Sequence, residues 1–337
     1  MQTLAELRSP KLILAPLKGY TDEVFRNAFA RHFDGFDSAL APFIPTVKDK
    51  RIRPALLRGV QPERNRRLPV VPQIMSNSPD DFIRMACALV AQGHSEVNWN
   101  LGCPFPMVAK KSKGSGLLPQ PDRIDTFLDQ VVPRLPCRLS VKVRLGRKKP
   151  DEIYKVLESL NAYPLSEIIV HPRTGIQMYS GRPDLDRFER CLDLSRHPVS
   201  YNGDINCFGD FQNLSKRFQS VTRWMIGRGA LINPYLPGVI KGTENPADDK
   251  VHRFIGFYYD LYRGYQERLS GPGHLLNRMK GFWTYFALTL EGGKKVAKQI
   301  HRSKRIHRYE TIVSEFFSSE PRWVEPEEGM SVDEVLP

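Results

Sequence analysis

The chain of 337 residues carries 50 Lys and Arg against 37 Asp and Glu, a formal charge of +13, and 41% of it is hydrophobic. That supplies a sizeable core, while no apolar run approaches the roughly 20 residues of a membrane span, so no membrane partner is expected. Five scattered cysteines (Cys87, Cys103, Cys137, Cys191, Cys207), odd in number and without C-x-x-C spacing, exclude a disulfide framework or zinc site as the organising principle. They predict a reducing cytoplasm and no metal. The first ten residues contain Glu6 and lack a basic region followed by a long apolar one, so no secretory leader is expected. The positive charge favours a partner with a phosphate backbone over a small neutral metabolite.

In chain order, Lys11 to Pro16 reads as a short buried strand, and Gly19 to Asp22 as a turn into a helix capped by Thr21 or Asp22. A second extended run covers Phe36 to Pro42. The basic stretch 48–67, from Lys48 and Lys50 to Arg66 and Arg67, reads as a solvated loop, with RNA contact as a second possibility. A regular alternation then begins. Strands are predicted at Pro69–Met75, Glu96–Leu101, Leu139–Arg144, Glu167–His171, Pro198–Asn202 and Thr222–Ile226. Helices are predicted at Pro79–Gln92, Pro121–Val132, Pro150–Ala162, Asp184–Leu194 and Phe208–Phe218. Counted from Lys11, this makes eight strands and predicts a (β/α)8 TIM barrel. The rival, a doubly wound open sheet, lacks its G-x-G-x-x-G after the first strand.

Beyond Gly242–Pro246 the strand pattern stops, and apolar residues at helical spacing (Phe254, Phe257, Tyr258, Leu261, then Met279, Phe282, Trp283, Phe286) predict a small all-helical C-terminal domain. Its exterior is basic, with Lys294, Lys298 and Arg302 spaced by four residues. An acidic, proline-bearing tail follows, expected to be mobile at its extremity. We divide the chain into a barrel (1–243), a helical domain (244–315) and the tail (316–337), and expect a monomer.

Each predicted strand delivers polar residues to one rim, where chemistry is placed in such barrels. They are Gln73, then Asn100 and Cys103, Lys142, His171, Asn202-Gly203-Asp204, and Gly227-Arg228. Asn100-Leu101-Gly102-Cys103-Pro104 ends a strand at a turn carrying a thiol, followed by Lys110, Lys111 and Lys113. Lys142, inside an apolar strand, calls for an anionic partner, met by an internal salt bridge or by a bound anionic cofactor. The glycines after the seventh and eighth strands suit a phosphate bound by backbone N–H groups, with Arg228 adding charge.

These motifs, taken together, resemble those of the tRNA-dihydrouridine synthases. Ala15-Pro16-Leu17-Lys18-Gly19-Tyr20-Thr21-Asp22 looks like that family's A-P-M-x-G-x-T-D, and Asn100–Pro104 like its N-x-G-C-P. Val141-Lys142-Val143-Arg144-Leu145-Gly146 is similar to its V-K-x-R-x-G, and His171-Pro172-Arg173-Thr174, Asn202-Gly203-Asp204-Ile205 and Gly227-Arg228-Gly229-Ala230 complete the set. Arg278-Met279-Lys280 looks like part of its C-terminal domain. The chain departs from the pattern at Leu17, at Lys18 and in the run Gly114-Ser115-Gly116-Leu117-Leu118, which lacks the small residues that usually stand directly before the Leu pair.

The resemblance implies FMN across the barrel mouth, with Pro16, Leu17, Lys18 and Gln73 at its ring. Lys142 would offset charge on the reduced flavin, with His171 nearby, and Asn202, Gly203, Asp204, Gly227 and Arg228 would hold its phosphate. NADPH or NADH would be the reductant, with hydride passing to C6 of a flipped-out uracil and Cys103 giving the proton to C5 as general acid. Asn100 and Arg173 would meet the substrate, and Lys294, Lys298 and Arg302 would grip the tRNA. A flavin barrel acting on a free pyrimidine or another small enone is the alternative; it leaves the charge and the basic helices unaccounted for. An inactive RNA-binding barrel is a third reading, disfavoured by Cys103 and Lys142 occurring together.

Overall fold

A computed structural model describes residues 9–46, 51–244 and 249–329. The leaderless reading of the N-terminus, Lys48 and Lys50 of the basic run, Asn245-Pro246 and the tail extremity with Asp333 and Glu334 lie outside the described residues.

The strands are β1 (Lys11–Leu14), β2 (Ser38–Leu40), β3 (Ile44–Pro45), β4 (Val70–Val71), β5 (Gln73–Met75), β6 (Glu96–Leu101), β7 (Arg138–Gly146), β8 (Glu167–Thr174), β9 (Val199–Asn202) and β10 (Arg223–Ile226). They form one ten-stranded sheet in the order β3-β5-β6-β7-β8-β9-β10-β1-β2-β4. Only Pro72 separates β4 from β5; β4 pairs with β2, and β5 with β3, both in parallel. The two ends of the order are therefore one pair of interrupted strands. Merging each pair turns ten into eight and closes the sheet into a (β/α)8 barrel. Pro72 has no N–H to donate, which breaks the strand expected to run unbroken over 69–75, yet its carbonyl still accepts from Asn98 N at 2.9 Å.

The helices between strands are α1 (Glu23–His32), α2 (Pro54–Leu57), α3 (Pro79–Val90), α4 (Pro106–Ala109), α5 (Pro121–Val131), α6 (Glu152–Leu160), α7 (Leu185–Leu194) and α8 (Phe208–Arg217). Their starts follow local chemistry: Asp22, Ser78 and Asp184 accept from the first-turn N–H groups of α1, α3 and α7. The stretch expected as a solvated loop instead holds α2 and two 3₁₀ turns, because Leu57, Val60 and Leu68 are buried and anchor it. β7 and β8 run past the expected ends, because their ladder continues to Gly146 and Thr174 across a register shift.

Alternation along the strands sorts side chains into two sets. Trp99 points outward and stacks on Phe127 of α5, with ring centroids 4.0 Å apart. Inside, Ile13, Ala15, Leu40, Ile169 and Met225 form an apolar cluster. Asn98 and Asn100 of β6 pair in register with Ser140 and Lys142 of β7.

After β10 come α9 (Arg228–Ile232), α10 (Leu236–Lys241), α11 (Lys250–Arg268), α12 (Pro272–Phe286), α13 (Gly293–Arg302) and α14 (Ile306–Ser318). Two compact units emerge. The first contains the chain up to Lys18, Asp37–Gly203 and Phe218–Met225; the second contains Gly19–Phe36, Asp204–Arg217 and Ile226 onward. The second unit has an aromatic core in which Phe25 stacks on Phe282 and meets Phe257 edge-on, both at 5.9 Å. Trp283 Nε1 donates to the Tyr309 hydroxyl at 3.1 Å. Past α14 the chain turns back: Trp323 bridges Leu290 and packs edge-on against Tyr235.

Candidate active site

Cys103 follows β6 and is 5% exposed. Its backbone is held from both sides. Asn100 Oδ1 accepts from Gly102 N at 3.1 Å and from Cys103 N at 2.9 Å, which fixes the turn. The Cys103 carbonyl accepts from Ser115 N at 3.0 Å and from Ser115 Oγ at 2.8 Å. Thus the segment that departs from the family pattern wraps back onto the thiol residue as a 3₁₀ turn, Gly114–Gly116. Gly114 is required there: its φ is +55°, and a Cβ would lie 2.7 Å from that of Cys103. Arg147 locks the arrangement, donating to the Pro104 carbonyl at 2.7 Å and to Ser115 Oγ at 3.2 Å. Burial pushes the Cys103 thiol up, so it keeps its proton, although the Phe105 N–H and the charges of Arg144, Lys18 and Arg147 pull the other way.

Behind Asn100 runs a buried polar chain. Asn100 Nδ2 donates to Gln73 Oε1 at 2.6 Å, Gln73 Nε2 to Asn98 Oδ1 at 2.8 Å, and Asn98 Nδ2 to Ser140 Oγ at 3.0 Å. Gln73, expected at a flavin ring, and Asn100, expected at substrate, are therefore both engaged in holding the turn. Asn98, Ser140, Ser115 and Arg147 were not picked out from sequence. For Asn98 a signal existed, since it lies two residues from Asn100 on the same inward face; Arg147, one residue past its motif, offered none.

Lys142 is 9% exposed, and no described residue gives it a hydrogen bond or carboxylate partner. Desolvation, then the nearby Arg144 charge, pushes its ammonium down to about 7. The internal salt bridge, one of the two explanations offered for its burial, is absent among the described residues. Arg144 is taken up by carbonyls, those of Gly102 at 3.0 Å and Thr174 at 2.9 Å. His171 is buried and packs against Tyr179, with ring centroids 6.4 Å apart. Arg173, expected at substrate, is 1% exposed and donates to the carbonyls of Ser180 and Gly181, holding its own loop. Pro16 and Leu17 are half-buried, and exposed Lys18 lies over the Phe43 ring at 5.6 Å.

At the end of β9, Asn202 Nδ2 donates to the Met225 carbonyl at 2.9 Å and is followed by Gly203. In the second unit, Arg228 pairs with Asp204 at 2.8 Å just after Gly227. Gly229 approaches so closely that a Cβ would lie 1.9 Å from the Ile205 carbonyl oxygen. In the same unit Asp22 accepts from the Tyr265 hydroxyl at 2.8 Å and pairs with Arg278 at 3.3 Å. Lys294, Lys298 and Arg302 stand exposed on α13 opposite buried Ala297 and Ile300, and no described carboxylate pairs with them. Among the described residues there is no cluster of three potential metal ligands and no helix long and apolar enough to cross a membrane.

Comparison with known proteins gives the same family. An old yellow enzyme homologue from Zymomonas mobilis matches with a TM-score of 0.50 at 10% identity, over 73% of this chain and 94% of that one, a likeness of fold. A tRNA-dihydrouridine(16) synthase of Neisseria meningitidis serogroup B is 27% identical over 273 residues, 77% of this chain and 81% of that protein. A probable tRNA-dihydrouridine synthase 2 of Bacillus subtilis is 24% identical over 322 residues, 92% and 95% of the two chains. The sequence model described as Dihydrouridine synthase (Dus) matches residues 13–315, a span that takes in the buried thiol turn, Lys142 and the basic helix, and the chain belongs to that family.

Proposed function

We propose that this protein reduces specific uridines of tRNA to 5,6-dihydrouridine, with FMN as resident cofactor, NADPH or NADH as reductant and Cys103 as the acid. The observation that carries the reading is the closeness of two buried groups, one two residues past β6 and one within the neighbouring β7. One is a buried thiol that keeps its proton; the other is a buried lysine with no anionic partner. An electron-rich ring suits Lys142, and the closely packed glycine turns with Arg228 suit a phosphate. When bound, FMN supplies hydride transfer from a nicotinamide to C6 of the uracil ring.

The chain's own residues do the rest. Asn100 and Ser115 fix the Cys103 backbone so that its Sγ–H gives a proton to C5, quenching the charge that hydride addition builds on the enone. Lys142, with His171 at the same rim, would offset negative charge on the bound cofactor. The relatives' names support tRNA as the substrate, and the unpaired Lys294, Lys298 and Arg302 suit its phosphates better than a free pyrimidine would require.

The test uses purified protein and tRNA from cells lacking it. The expected protein is yellow, with an FMN spectrum bleached by NADPH, and it forms dihydrouridine read by primer extension. Cys103→Ala should bleach as before yet lose about 10²–10⁴-fold in uridine reduction. If the substitution slowed only the bleaching, Cys103 would not be the acid. Reduction of free uracil but not of tRNA would support the small-enone alternative.

A further inference from the structure

The surface around Cys103 carries a feature that proton donation does not use. Among the described residues, Phe105 is 42% exposed, Met107 79% and Ile176 57%. They lie on abutting loops: Arg147 donates to the Pro104 carbonyl at 2.7 Å, and Ile176 N donates to the Arg147 carbonyl at 3.0 Å. Cations lie on these loops. Lys110 and Lys111 follow Met107 on one loop, and Lys148 and Lys149 follow Arg147 on the next; all four are exposed and no described carboxylate pairs with their ammonium groups, although Glu152 accepts from the Lys149 backbone N–H at 3.2 Å. Exposed apolar side chains on abutting loops that also carry unpaired positive charge match a polyanion that also offers flat apolar faces. Unstacked nucleotides have that chemistry, with phosphates outside and bases free to stack.

We propose that Phe105, Met107 and Ile176 form a stacking platform for the unpaired bases flanking the target uridine, with Lys110 and Lys111 on the adjoining phosphates. This rests on the tRNA reading above and names what holds the RNA beside the thiol once the uridine has left its stack.

The experiment measures the Kd of wild type and variants for tRNA lacking dihydrouridine, at several salt concentrations. Phe105→Ala with Met107→Ala should weaken binding by roughly 5- to 150-fold for each base that loses its platform. The loss should be the same at every salt concentration, since no ion pair is removed, and Phe105→Trp alone should bind at least as tightly as wild type. Lys110→Ala with Lys111→Ala should instead flatten the slope of log K against log salt by roughly 1.4 to 1.8 units. Wild-type affinity in the double apolar variant overturns the platform, as does a loss confined to low salt. Retained tRNA affinity with lost binding to anionic vesicles would reassign the patch to a membrane surface and overturn it equally. If wild type itself forms no dihydrouridine in tRNA, the functional reading fails first, and the two failures are told apart.

Discussion

A lysine buried without a counter-charge costs stability, and Lys142 does so in a definite pH window. Its folded value of about 7 lies below the ordinary 10.5. Between those values the unfolded chain binds a proton that the flavin-free folded chain does not. Stability therefore rises with pH across the window and is lost as pH falls towards 7. Lys142→Met should raise the melting temperature of flavin-free protein at pH 7 and flatten its rise towards pH 10, while flavin is lost on dialysis. A variant less stable than wild type at pH 7 would show that the lysine is paid for in some other way. Much of this was legible in sequence, because a charged residue within Val141-Lys142-Val143 has no apolar explanation. Arg173 was not legible, since nothing in its neighbours announces that carbonyls of its own loop will absorb its charge.

Among elements, the segment from Cys103 to Gly116 matters most to the chemistry. Two hydrogen bonds from Ser115, one from its N–H and one from its hydroxyl, hold the Cys103 carbonyl, and the turn that brings Ser115 there depends on Gly114. Gly114→Ala would place a methyl group 2.7 Å from Cys103 Cβ, in a left-handed conformation at φ +55°. If Cys103 is the acid proposed above, its displacement by about 1 Å should cost roughly 10²-fold in uridine reduction, with flavin bleaching by NADPH as the internal comparison. Unchanged turnover would mean that the loop relaxes elsewhere. The strands of the barrel were legible from alternation and from Gly and Pro punctuation, and β6 was placed to the residue. Interruptions were less so: Pro72, with no N–H to donate, splits a strand whose residues on either side still pair, and α2 forms because Leu57, Val60 and Leu68 find a core. Such partners lie far away in sequence.

For the whole molecule, the excess charge becomes an ionic-strength dependence. Lys294, Lys298 and Arg302 project from one face of α13, with Lys295, Lys304, Arg305 and Arg308 also exposed and unpaired with described carboxylates. Replacing the first three with Ala should flatten the salt slope of tRNA binding by roughly two to three units, because each phosphate contact releases counterions. An unaltered slope would place the phosphate contacts on another face. The partners of α1 were the least legible, because the helix expected to follow the first strand packs its Phe25 among Phe257 and Phe282, more than 200 positions later. The chain crosses between units after Lys18, Phe36, Gly203, Arg217 and Met225. No single cut of the chain separates the two units. Phe25 meets Phe257 and Phe282 and Phe33 meets Phe257 only in helices beyond residue 243, so a chain ending there would strip both rings of those partners and leave α1 without the core it packs into.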